Sequence, residues 1–185
     1  MLDKGENKDS KHQETLDELR KGSAEAFKIL YEKYRKNVYR FCLRMMGDAD
    51  MADDAFQETF IKVYEHRKDF RTNNFSSWLF TIARRTCLNQ IRSKKDMDTF
   101  DEFFYEPVRE NRSDVAMKEI IEKAIATLPI PMREAFILRE YEECTYQEIA
   151  DILGIQLSLA KVRVHRAREI LRKLLAPIKK EIHES

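Results

Sequence analysis

Apolar residues recur along most of this chain at spacings of three and four, the period of a helix that buries one face. Between Ser23 and Gly47 the inward set is Ala26, Phe27, Leu30, Tyr34, Val38, Phe41 and Met45, with Ser23 placed to cap the helix and Gly47 to end it. A second helix is predicted over 50–64, with Ala52, Ala55, Phe56, Phe60 and Val63 facing inward. Acidic residues in its first turn favour the helix dipole. Residues 68–74 mix turn formers with charge and lose the period, so they read as a loop. The period resumes with Trp78, Leu79, Ile82, Ala83, Thr86 and Ile91, in a helix whose end is strongly basic. Further on, 115–128 carries Ile120, Ile121, Ala124, Ile125 and Leu128, and 132–141 carries Ala135, Phe136, Leu138 and Tyr141, the two joined through Pro129 and Pro131.

Two breaks divide this pattern. Residues 1–13 are polar and read as a disordered tail, followed by a short helix from Thr15 that Gly22 interrupts. Residues 96–112 hold Asp96, Asp98, Asp101, Glu102, Glu106 and Glu110 against only Arg109 and Arg112, with Pro107 between them, and read as an acidic flexible linker. The expected organisation is therefore a helical domain over 14–95 and a second over 113–185, with a frayed tail after Pro177. No alternating strand pattern flanked by turn residues occurs, and with only four glycines and four prolines the fold class is all-α.

The second domain contains the most informative stretch. Thr145 and Glu148 stand at capping-box spacing before Ile149, Ala150 and Leu153, and Gly154 follows where a left-handed turn closes a helix. A second helix begins after about three residues, the connection length of a helix-turn-helix. Leu157, Ala160, Val164, Ala167, Leu171 and Leu174 form its apolar stripe, and Lys161, His165, Arg166, Arg168 and Arg172 lie opposite. Such a helix suits the DNA major groove, where arginine and lysine bind phosphates and donate to guanine edges. The competing account is a surface helix with a solvated basic face.

Composition narrows the function classes. The formal net charge of +1 hides segregation of basic and acidic residues into different stretches, so local charge is the useful quantity. No apolar run approaches the roughly 20 residues of a membrane helix, and the N-terminus lacks an apolar signal core, which predicts a cytoplasmic protein. Cys42, Cys87 and Cys144 are odd in number and widely separated, and they indicate neither a disulfide framework nor a zinc site. They read as buried packing residues.

The motifs occur in an ordered set. Ala26-Phe27 through Tyr34, Ala52-Asp53-Asp54-Ala55-Phe56-Gln57-Glu58-Thr59-Phe60 and Trp78-Leu79-Phe80-Thr81-Ile82-Ala83-Arg84 resemble the first conserved domain of the extracytoplasmic-function (ECF) sigma factors of bacterial RNA polymerase. Leu128-Pro129, Arg133-Glu134-Ala135-Phe136, Tyr146-Gln147-Glu148-Ile149-Ala150 and the stretch from Gly154-Ile155 to His165-Arg166-Ala167-Arg168 resemble the second. The resemblance implies that Asp53, Asp54, Gln57, Glu58 and Phe60 dock on core RNA polymerase. It assigns Phe70, Arg71, Asn73, Asn74, Trp78, Arg84, Arg85 and Arg92 to the minus-10 promoter element, where a base extruded from the stack is trapped. It assigns Ser158, Lys161, Val162, Arg163, His165, Arg166 and Arg168 to the minus-35 element, with Lys161, Val162, His165 and Arg166 near base edges and Arg163 and Arg168 nearer phosphates. Implied partners are core polymerase, promoter DNA and an anti-sigma factor, with no catalytic residue, cofactor, metal or small-molecule substrate.

The chain departs from the family pattern where members commonly have Gly-Thr-Val in the recognition helix and this chain has Ser158-Leu159-Ala160, where Val162 replaces a frequent serine, and where Arg85 replaces a frequent asparagine. Leu159 and Val162 are candidates to meet thymine methyl groups. The alternatives are a stand-alone helix-turn-helix regulator, which needs a sensing domain in the N-terminal half, and a hydrolase using Asp53, Asp54 and His66. Adjacent carboxylates on a helix point about 100° apart and converge poorly on one metal or substrate.

Overall fold

Local signals set several helix ends. The Ser23 hydroxyl accepts from the Ala26 amide at 3.2 Å, and at the other end Gly47, at φ 69°, returns its amide to the Leu43 carbonyl. The Asp48 carboxylate then accepts from the Met51 amide at 2.9 Å and opens the following helix. The computed structural model describes residues 6–71, 74–97 and 114–183, which hold eight helices and no strand. These are α1 (Glu6–Lys21), α2 (Ala24–Met46), α3 (Ala49–Glu65), α4 (Phe75–Met97), α5 (Asp114–Ala126), α6 (Ile130–Glu140), α7 (Tyr146–Leu153) and α8 (Leu157–His183). The chain is all-α, as the periodicity requires.

In the N-terminal half α2, α3 and α4 pack together, and α1 lies along α2. In the C-terminal half α5, α6 and α7 all pack on α8. The first core is aromatic: Phe41, Phe70 and Phe75 are fully buried, and the Phe70 and Phe75 rings lie 5.2 and 5.8 Å from Trp78. The second is aliphatic, around Ile125, Leu128, Ile137, Leu138 and Ile149. The halves also meet, α4 against α7 and α2 against α5 and α6, so that their buried residues join in one continuous cluster.

Several boundaries differ from those the sequence suggests. Residues 6–13 are helical rather than a tail, because α1 begins at Glu6 and runs unbroken into the turns that carry Leu16 and Leu19, which are wholly buried. α4 extends to Met97, so Asp96 belongs to the helix; residues 98–113, most of the expected linker, lie outside the described residues. α8 continues through Pro177 to His183 in place of the frayed tail. Its apolar stripe is shorter than expected, since Ala160, Val164, Ala167 and Leu171 are buried while Leu157 and Leu174 at the two ends are exposed.

Phe75→Ala should lower the stability of the N-terminal half by about 3–5 kcal/mol, since the ring is buried among Tyr34, Phe70 and Trp78. Ile61→Ala, at a side chain 57% exposed, should stay within about 0.5 kcal/mol. Urea denaturation of the two variants checks both, and equal losses would contradict this placement of the core.

Candidate functional site

The helix-turn-helix is built by its own capping chemistry. The Thr145 hydroxyl accepts from the Glu148 amide at 3.2 Å and the Glu148 carboxylate accepts from the Thr145 amide at 2.8 Å, which completes the capping box. Gly154, at φ 65°, closes α7 and turns the chain into α8. Of the residues assigned to the minus-35 element, Ser158, Lys161, Val162, His165 and Arg166 are exposed along the outer side of α8. Arg163 and Arg168 are committed within the fold. The Arg168 guanidinium donates to Glu140 on α6, its Nε at 2.9 Å, and Arg163 donates to Glu134 at 3.4 Å. In this structure both brace α8 on α6.

On α3, Asp53, Asp54 and Gln57 are exposed, and Glu58 is half-buried, paired to Lys62 at 2.5 Å and within 3.3 Å of the Gln90 amide nitrogen. Phe60 is 5% exposed and packs its ring on Phe27, Tyr31 and Phe56, so it lies in the core rather than on the exposed side of α3. Ile61 and Tyr64 continue the exposed side instead, with Ile29 of α2 also exposed. Periodicity overlooked them because it looks for apolar residues that turn inward. Asp54, Gln57, Ile61 and Tyr64 nevertheless keep helical spacing, and that pattern was available.

The turn between α3 and α4 is anchored from below. Phe70 is 1% exposed, with the Arg20 guanidinium 4.8 Å above its ring and donating to its backbone carbonyl at 3.0 Å. Its side chain therefore holds the loop down and is not offered to DNA, contrary to its assignment. Asn73 lies outside the described residues. The Asn74 side-chain Oδ1 caps α4 by accepting from the Ser77 amide at 3.0 Å, and its Nδ2 donates to Glu148 at 2.7 Å. Trp78 is half-buried against Phe70 and Phe75, as a core reading requires, while Arg71, Arg85 and Arg92 are exposed.

Arg84 reaches across to the other half. Its Nε donates to Glu134 at 2.7 Å and a second guanidinium nitrogen does so at 3.2 Å, on a carboxylate only 2% exposed. Glu134 thus joins α4, α6 and α8. The Arg84–Glu134 contact spans 50 positions, and periodicity and local spacing carry no signal for it.

The family model for Sigma-70 region 2 matches residues 30–96, and that for Sigma-70 region 4 matches residues 118–171. The ECF RNA polymerase sigma factor SigW of Bacillus subtilis is 30% identical over 176 residues, covering 86% of this chain and 94% of that protein. SigM of the same organism is 32% identical over 150 residues, covering 78% and 92%. The chain belongs to the ECF RNA polymerase sigma factor family. In shape it is similar to the sigma factor RpoE solved with the anti-sigma factor NepR from Bartonella quintana, with TM-score 0.68 at 27% identity, covering 81% of this chain and 96% of that one. In this sigma factor, region 2 falls on α2, α3 and α4, and region 4 on α5, α6, α7 and the greater part of α8. No helix among the described residues is long and apolar enough to cross a membrane.

The cysteines are all free and buried. The neighbouring Cys42 thiol and burial push the Cys87 thiol well above its ordinary value. Burial, reinforced by the carboxylates of Glu148 and Glu142, pushes Cys144 up to about 12. A thiol held protonated is a poor nucleophile. Iodoacetamide at neutral pH should therefore leave the native sigma factor unmodified and alkylate it in denaturant; rapid labelling of the native chain would contradict the burial.

Bonds from the Thr145 backbone amide and then its hydroxyl hold the Glu148 carboxyl below the usual value, with burial opposing and Asn74 assisting. A carboxyl so depressed contributes stability above its unfolded pKa and loses it as pH falls through the lowered one. Thermal melting from neutral to acid pH should show a shallower acid-side loss in Glu148→Gln than in the native chain. Parallel pH profiles would count against the capping box as its source.

Proposed function

We propose that this sigma factor binds core RNA polymerase through the outer face of α3, around Asp53, Asp54, Gln57, Glu58, Ile61 and Tyr64. In this reading it engages the minus-10 element with Arg71, Asn73, Asn74, Trp78, Arg84, Arg85 and Arg92. It reads the minus-35 element with Ser158, Lys161, Val162, His165 and Arg166. The observation that carries the reading is α8, seated on α6 and α7 by Ala160, Val164 and Ala167 while its outer side offers two cations, a histidine and exposed aliphatics. The protein supplies promoter specificity and helps open DNA, while polymerase makes RNA. Its place is the cytoplasm with polymerase, and no substrate or cofactor enters. RpoE of Bartonella quintana is held by an anti-sigma factor, and a partner of that kind is proposed for this chain.

Run-off transcription with purified core polymerase over a library of promoter fragments tests the reading. Addition of the protein should direct initiation from a restricted set, and Lys161→Ala or Arg166→Ala should change that set rather than weaken all members alike. Duplex binding without any gain in initiation would favour the stand-alone regulator. Leu159 and Val162 are 42% and 40% exposed, and aliphatic side chains there fit thymine methyl groups. Replacing thymine by uracil in the selected minus-35 sites should weaken binding by about fourfold per contacted methyl, the equivalent of about 0.8 kcal/mol. Unchanged affinity would remove these two residues from the readout.

A further inference from the structure

Two contacts tie the C-terminal end of α1 to the turn that follows α3. The Arg20 guanidinium reaches Phe70 across 50 positions, its Nε donating to the Phe70 carbonyl at 3.0 Å while its central carbon lies 4.8 Å from the centre of the Phe70 ring. Gly22, at φ 95°, follows α1 and packs against the Arg67 guanidinium, where a Cβ would come within 3.3 Å of a nitrogen. Asp17, one turn back on α1, accepts from another nitrogen of Arg20 at 2.5 Å and so orients the guanidinium. α1 lies wholly ahead of residues 30–96, which match the region 2 model.

The Phe70 carbonyl belongs to the peptide that joins Phe70 to Arg71, and because a peptide is planar a bond to its oxygen also fixes the direction of the Arg71 amide. The Phe70 ring is fixed as well, 5.5 Å from Phe75 and 5.2 Å from Trp78. One side chain from α1 thus holds both the backbone and the ring of Phe70, at the place where the chain leaves the core and Arg71 lies exposed. The far end of the loop is fixed independently, by the Asn74 cap on α4. A loop that must meet a nucleotide loses less free energy on binding when it is ordered beforehand, and an anchor displaced by about 1 Å suffices to spoil a contact there.

We propose that Arg20 is a positioning residue for readout of the minus-10 element, acting through Phe70 and making no contact with DNA itself. α1 then belongs to the promoter-recognition machinery and not only to the N-terminal core. The proposal rests on the assignment of Arg71 to that element.

Trp78 is the single tryptophan of the chain, so its fluorescence reports how Phe70 is seated. The test uses the full chain with Arg20→Gln and, separately, Asp17→Asn; the Asp17 side chain is half exposed, so the second variant serves should the first fail to fold. At temperatures where circular dichroism shows intact helices, Trp78 emission should move to the red and acrylamide quenching should increase in both. In transcription with core polymerase, the preference for a selected promoter over the same promoter with a scrambled minus-10 element should fall about tenfold in Arg20→Gln, the size of one lost contact. Binding to a minus-35 duplex should stay within about twofold of the native value. A loss of folded protein would lower output from both promoters alike and leave their ratio unchanged. Unchanged preference would overturn the proposal whether or not Trp78 responds. So would a lower preference with unaltered Trp78 fluorescence, since Arg20 then acts otherwise than through Phe70. Arg71→Ala tests the underlying reading: if it keeps the native preference, the minus-10 assignment fails and the proposal with it. If it loses that preference while Arg20→Gln keeps it, the assignment stands and only the role of Arg20 falls.

Discussion

A carboxylate withdrawn from water must keep its cations close, and Glu134 keeps two. Arg84 approaches from α4 and Arg163 from α8, so one anion on α6 sets where both basic helices lie relative to the middle of the molecule. In a buried ion pair the desolvation penalty rivals the attraction, so its value lies less in net stability than in the single geometry that satisfies it. Loss of either arginine leaves the anion undercompensated, which ties the orientation of the recognition helix to the state of a residue in the other half.

Two kinds of interaction divide the labour around that node. Within each half, apolar burial decides the packing: the rings of Phe41, Phe70, Phe75 and Trp78 fill one core, and Ile125, Ile137, Leu138 and Val164 the other. Between the halves, the prominent contacts are glutamates meeting amides and guanidiniums, with Arg44 also lying 3.6 Å over the Tyr141 ring. Apolar cores are cooperative and hard to open, whereas a polar seam exchanges one set of hydrogen bonds for another with water or a ligand.

The basic face of the recognition helix is sorted by the same rule. Arg163 and Arg168 point toward acids on α6 and are used in holding α8, while Lys161, His165 and Arg166 stay at the surface. On the helical wheel Arg163 and Arg168 flank the apolar stripe of Ala160, Val164, Ala167 and Leu171 on its two borders, while Lys161, His165 and Arg166 lie farther round. The two at the borders are within reach of acids on α6, and those acids hold them.

The sequence by itself determined the helices, their caps and their inward faces. Ser23, Gly47, the Thr145–Glu148 box and Gly154 act through bonds three or four residues long, and a period of 3.6 records burial wherever one face turns inward. The motif set likewise carried the family and the order of its two regions. Only the tertiary structure decided that Phe60 and Phe70 are core rather than contact residues, that Ile61 and Tyr64 extend the exposed side of α3, and that α1 reaches back to Glu6. It alone brought Arg84 to Glu134 and Asn74 to Glu148, across 50 and 74 positions. Periodicity registers whether a residue is buried, not against what, and a contact between distant positions leaves no mark on the spacing of either partner.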